Sequence, residues 1–165
     1  VTGYRRDLTE YQHQTLESFR RGDTEIDRSD VVAELWPVDG PHTVQIFAEA
    51  TLALEHLVRY ANHATLNAPA DALPTPEDAA RSVRSLGAAL AKLPQLCDQL
   101  AARADRFAAN PTLRADSTAD QEPAVQAGLA AEALRELAAA TAPLHRLTDA
   151  ASAPLNTLWL DDEPT

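Results

Sequence analysis

Cysteine is almost missing from this chain. Cys97 is the only one in 165 residues, which excludes a disulfide within the chain and any zinc site built on several thiolates. A lone thiol fits a reducing compartment, so the expected location is the cytoplasm. Glycine is scarce as well: its five copies stand at 3, 22, 40, 87 and 128, too scattered for a phosphate-cradling loop. Aromatic residues make up 5% and β-branched residues are few, which leaves little to build a sheet from. No apolar run approaches the roughly 18 residues of a membrane span, and Arg5 and Arg6 precede a polar segment rather than the apolar stretch of a signal peptide. Cations are outnumbered. With 14 Lys plus Arg against 25 Asp plus Glu, the net charge is −11 and the pI near 4.7, the wrong sign for direct nucleic-acid binding. The acidic balance serves solubility or, toward a basic partner, imitates nucleic acid.

What is abundant is alanine and leucine, 33 and 22 residues, a composition that favours helix. The expected fold is all-α, a mainly antiparallel four-helix bundle with one additional short helix. It forms a single domain over residues 1–165, with flexible ends at 1–6 and 161–165 and a flexible loop at 111–122. A first helix starts at Asp7, three residues before Glu10 at capping-box spacing, and stops near Gly22. Ser29 or Asp30 caps the short helix through Val31, Val32, Leu35 and Trp36, ended by Pro37. The second long helix runs from about Pro41 to Thr65 with a broad apolar stripe.

The third helix carries the clearest signal. Thr75 is its cap, Pro76 its first residue, and Glu77 and Asp78 sit at the positive end of the helix dipole. Heptad positions then read Val83, Leu86, Leu90, Leu93, Cys97, Leu100, Ala104 and Phe107. A fourth helix from residues 120–123 to Leu158 repeats the pattern with Ala127, Ala130, Leu134, Leu137, Thr141, Leu144, Thr148, Ala151, Leu155 and Leu158. Pro94 and Pro143 interrupt these helices and, offset by about five residues or about 7 Å, should bend the pair together; Pro154 interrupts the fourth again. The expected core comprises Phe47, Leu54, Leu57, Leu86, Leu90, Leu93, Leu100, Phe107, Leu134, Leu137, Leu144 and Leu155.

Two segments, residues 58–65 (Val-Arg-Tyr-Ala-Asn-His-Ala-Thr) and residues 93–100 (Leu-Pro-Gln-Leu-Cys-Asp-Gln-Leu), carry a resemblance. The chain resembles, over about residues 43–105, small helical proteins of unknown function common in high-GC actinobacteria. That resemblance implies a helical cytosolic protein and no particular activity.

Residues with chemical potential do not converge. His42, Glu49, His56 and His63 follow one another at seven-residue spacing along one helix, about 10.5 Å apart, whereas a helical metal pair needs three or four residues. Glu10 and His13 have the Glu-x-x-His spacing of di-iron bundles, in a single copy and without carboxylates on the inner faces of the third and fourth helices. Cys97 lies among leucines, where a thiol packs as a small hydrophobe. Arg21-Gly22-Asp23, an adhesion tripeptide elsewhere, reads here as a helix C-cap. No catalytic residue, metal or cofactor is assigned, and the chain leans away from being an enzyme.

The function expected is a non-enzymatic helical protein–protein interaction module, self-association included, with no direct nucleic-acid or membrane partner. The alternative is a small-molecule sensor or enzyme with a pocket between kinked helices, lined by Thr51, Tyr60, Thr141 and Thr148. The candidate interaction residues are Leu52, His56, Arg59 and His63, an apolar centre ringed by polar groups on the second helix. Association through them should weaken near pH 6 as imidazoles gain charge, unless the partner surface is acidic.

Overall fold

The computed structural model describes Gln14, Glu17, residues 28–116 and residues 121–160. Of the expected first helix only Gln14 and Glu17 are among these residues, both helical; Glu10, His13 and the Arg21-Gly22-Asp23 turn lie outside them. Every regular element among the described residues is helical: α1 (Arg28–Leu35), α2 (Val44–Asn67), α3 (Pro69–Ala72), α4 (Pro76–Leu90), α5 (Leu93–Ala108), α6 (Pro123–Thr141) and α7 (Leu144–Leu155). The chain divides into two compact units, Val1–Leu66 and Asn67–Thr165.

In the first unit the second long helix begins later than the sequence suggests. Gly40 takes a left-handed conformation, with φ of +102°, and closes a turn by donating its amide to Pro37 O. Thr43 then caps α2, its hydroxyl accepting from the Ile46 amide at 3.2 Å. Pro41 therefore stands in the turn, and the Thr43 cap sets the start of the helix. Phe47, Leu54 and Leu57, expected in the core, are 49%, 48% and 51% exposed.

The second unit is an antiparallel hairpin. One limb is α4 followed by α5, the other α6 followed by α7; α4 packs on α7 and α5 on α6. Its start follows the sequence reading closely. Thr75 is extended, its hydroxyl accepts from the Asp78 amide at 3.2 Å, and Pro76 opens the helix. Arg81 then pairs with Glu77 and Asp78 at 3.1 and 3.3 Å.

The seam between the limbs differs from the expected one. Its buried residues are small: Ala80, Gly87 and Ala101 on one limb, Ala131, Ala138 and Ser152 on the other, with Cys97 among them. They recur at intervals of seven or fourteen. Val83, Leu90 and Ala104, and across the hairpin Ala127, Leu134, Thr141, Thr148 and Leu155, are half-buried beside them. Half of the predicted stripe thus lies in the seam. The other half, Leu86, Leu93, Leu100 and Phe107 with Ala130, Leu137, Leu144, Ala151 and Leu158, lies to one side of it, with Leu93, Leu100 and Leu144 still half-buried. Leu86 is 53% exposed and Leu137 49%. Small side chains let the two backbones come close, and that approach turns the neighbouring leucine row outward. At Gly87 the fit leaves no room, since a Cβ there would overlap the Thr148 hydroxyl and stand 3.1 Å from its Cβ.

Both limbs are interrupted where proline demands it. Ala91 and Lys92 separate α4 from α5, and Ala142 and Pro143 separate α6 from α7. Pro94 has no amide hydrogen for the Leu90 carbonyl, and Pro143 none for that of Ala139. Since Gly87 faces Thr148, Lys92 stands level with Pro143. By the same register Pro94 stands within about two residues of Pro143, closer than the offset of about five read from the sequence. Pro154 lies one residue inside the end of α7 and breaks nothing further.

Gly87→Ala should destabilise the protein by about 1–3 kcal/mol through overpacking, even though alanine favours a helix interior over glycine by about 1 kcal/mol. Adding Thr148→Ala should recover part of that loss. Urea unfolding followed by far-ultraviolet circular dichroism measures both, and a Gly87→Ala variant more stable than wild type would contradict the close approach.

Candidate functional site

Leu52, His56, Arg59 and His63 occupy successive turns of one stripe of α2, and all four are exposed. The structure thus places all four on one face of the helix. Leu52 is 52% exposed, hardly different from Phe47, Leu54 and Leu57, so it does not stand out as an apolar island. Gln45, on the same stripe, donates from Nε2 to Glu49 Oε1 at 3.1 Å, an exposed pair one turn apart.

Of the four residues suggested for a ligand pocket, Thr51 and Tyr60 lie in the first unit and Thr141 and Thr148 in the second. Thr51 is exposed and its hydroxyl donates to Ala48 O at 2.9 Å; Tyr60 is exposed on the same helix. Thr141 and Thr148 sit in the hairpin seam, where their hydroxyls donate to Leu137 O at 2.8 Å and to His145 O at 2.6 Å. Two cavities among the described residues are well defined. One, of about 280 Å³, is lined mainly by apolar atoms of Trp36, Pro37, Pro41, Ile46 and Phe47, with His42 at its wall; Trp36 Nε1 is buried with no acceptor among the described residues. The other, about 380 Å³ and open, lies at the hairpin's turn between Ala108 and Ala124. Among the described residues no three His, Cys, Asp or Glu side chains converge as for a metal ion, and no helix is long and apolar enough to cross a membrane. Cys97 is buried in the seam.

The hairpin itself presents the most organised surface. Its two flanks differ in chemistry. On one flank, Arg84 Nη1 donates to Asn156 Oδ1, and Arg135 forms an ion pair with Asp105. Each of these four residues immediately follows a seam residue: Val83, Leu155, Leu134 and Ala104. Residues that immediately precede Gly87, Pro94, Ala101 and Ala108 on one limb, and Ala131, Ala138, His145 and Ser152 on the other, must therefore lie on the opposite flank. They are Leu86, Leu93, Leu100 and Phe107, facing Ala130, Leu137, Leu144 and Ala151. Not one is polar. The sequence reading found these leucines and assigned them to the interior; the overlooked signal was the small-residue row at 80, 87 and 101 and at 131, 138 and 152, which competes for the seam.

No family model, curated protein or solved structure matches the chain.

The polar flank should contribute little to folding. Arg135 and Asp105 are 50% and 47% exposed, so solvent screens their attraction, and Arg135→Ala should cost under about 1 kcal/mol. Chemical denaturation of the variant beside wild type, at low and at high salt, checks this; a larger, salt-sensitive loss would make this flank a structural clasp.

Proposed function

We propose that the chain is a non-enzymatic protein–protein interaction module, working in the cytoplasm, that docks through the leucine flank of the 76–155 hairpin. One observation carries this reading: both limbs contribute apolar residues at seven-residue intervals to the same flank, while the cross-limb polar pairs gather on the other. A continuous apolar face at the surface of a charged protein is an interaction surface by default. The four-helix bundle belongs to the same proposal. The hairpin provides two of its helices.

The stripe of Leu52, His56, Arg59 and His63 on α2 is a second contact surface in this reading. Its exposure supports it, but its neighbours are equally exposed, so it carries less weight than the flank. The small-molecule alternative rests on the apolar cavity beside Trp36, whose indole N–H has no acceptor among the described residues. At about 280 Å³ that cavity falls just short of the roughly 300 Å³ of ordinary ligand pockets.

Leu86→Glu combined with Leu137→Glu tests the flank. An interface tolerates such changes in the folded protein, whereas a core does not. The double variant should keep wild-type helicity by far-ultraviolet circular dichroism at room temperature. Loss of helicity would make the flank interior and remove the proposed surface.

A further inference from the structure

Building on that interaction reading, we infer that the leucine flank is covered by a second copy of this chain, two hairpins packing flank to flank about a two-fold axis along their length. Shape points to this arrangement. With Gly87 facing Thr148, Leu93 stands nearly level with Leu144 and Leu100 with Leu137, whereas Leu86 stands beside Ala151 and Phe107 beside Ala130. A two-fold along the hairpin lays each limb over the opposite limb of the second copy at the same height. Leu86 and Phe107 then fall on Ala151 and Ala130 of the second copy, large on small, and the four central leucines meet their counterparts. A two-fold across the hairpin would instead stack Leu86 on Phe107 and leave the alanines facing one another over a gap. Either axis makes every neighbouring helix pair antiparallel, the arrangement of an up-and-down four-helix bundle, so the pairing of large on small side chains decides between them. Because both copies present the same patch, the contact closes on itself and stops at two.

Area and charge agree. From Leu86 to Phe107 the flank runs about 32 Å, and two helices side by side make it about 20 Å wide. That is about 600 Å² on each copy and about 1,200 Å² in total, enough for a specific complex. The chain carries −11 overall, yet the flank and its outer borders, which include Ser82, Ala89, Ala133 and Ala140, hold a single charge. It is Arg103, whose guanidinium lies 4.5 Å from the Phe107 ring centroid. The two-fold brings Arg103 to the height of Glu136 on the facing limb of the second copy, and symmetry makes two such pairs. The acidic protein thus meets itself on the face where its own charge is least opposed.

Sedimentation of the full chain from about 1 to 100 μM decides the matter. Wild type should reach twice the 17.8 kDa chain mass. Leu86→Glu with Leu137→Glu should raise the dimer dissociation constant at least about 100-fold while helicity stays, and Leu52→Asp on α2 should change nothing. Arg103→Glu should weaken the dimer about tenfold, with Glu136→Arg in the same chain restoring it. A wild type that stays at the chain mass at the top concentration overturns the proposal; so does a dimer that survives the flank variant or is broken by Leu52→Asp. Failure of Glu136→Arg to restore association overturns the lengthwise axis. None of these results touches the interaction reading, which falls only if the flank variant loses its helices.

Discussion

The approach of two helices at Gly87 governs the second unit. With no side chain there, α4 comes close enough to α7 for Thr148 to occupy the space a Cβ would need. Alanines at 80, 101, 131 and 138 and Ser152 extend the same closeness along the hairpin. Side chains this small add little hydrophobic area apiece. What they supply is backbone proximity, with many weak dispersion contacts along the whole seam. The geometry then dictates the rest: once the small residues occupy the line of contact, the leucines one position before them must face sideways.

That choice leaves the hairpin with a thin interior. No large side chain among the described residues is fully buried, and two helices in isolation are marginal in water. Leu93 illustrates the difference. As a core residue it should lose about 2–5 kcal/mol on truncation to alanine; half-buried on the flank, it is expected to lose about 1–2 kcal/mol in the lone hairpin. Most of the hairpin's large apolar side chains therefore sit beside the seam rather than in it.

Sequence alone disclosed the helices and their punctuation well. Thr75-Pro76-Glu77-Asp78 starts α4 as expected, and Pro94 and Pro143 mark the two interruptions, because caps and prolines act on local backbone that any window of sequence contains. The choice between two overlapping heptad rows was not legible in that way. Val83, Leu90, Cys97 and Ala104 belong to both rows, and hydrophobicity favours completing the pattern with Leu86, Leu93, Leu100 and Phe107 over Ala80, Gly87, Pro94 and Ala101. Which row wins depends on how near the partner helix comes, a property of two segments some sixty residues apart. The interaction stripe on α2 was legible as a stripe, since spacing fixes it. Its rank among surfaces was not, because that depends on what covers Phe47, Leu54 and Leu57.

The paired interruptions are what keep a flank of this length usable. A break in one limb alone would shorten that limb's path against a straight neighbour and slip the two leucine rows out of register beyond it. Here Ala91-Lys92 and Ala142-Pro143 lie at nearly one height, so both limbs are interrupted together. The Gly87 to Thr148 contact on one side of the break and the Asp105 to Arg135 pair on the other belong to one continuous pairing of the limbs. Leu86 and Leu144 on one side, with Leu100 and Leu137 on the other, consequently remain on a single face. A face kept in register across its interruption can be matched along its whole length by a partner interrupted at the same height, and a chain with this sequence is the simplest molecule that is.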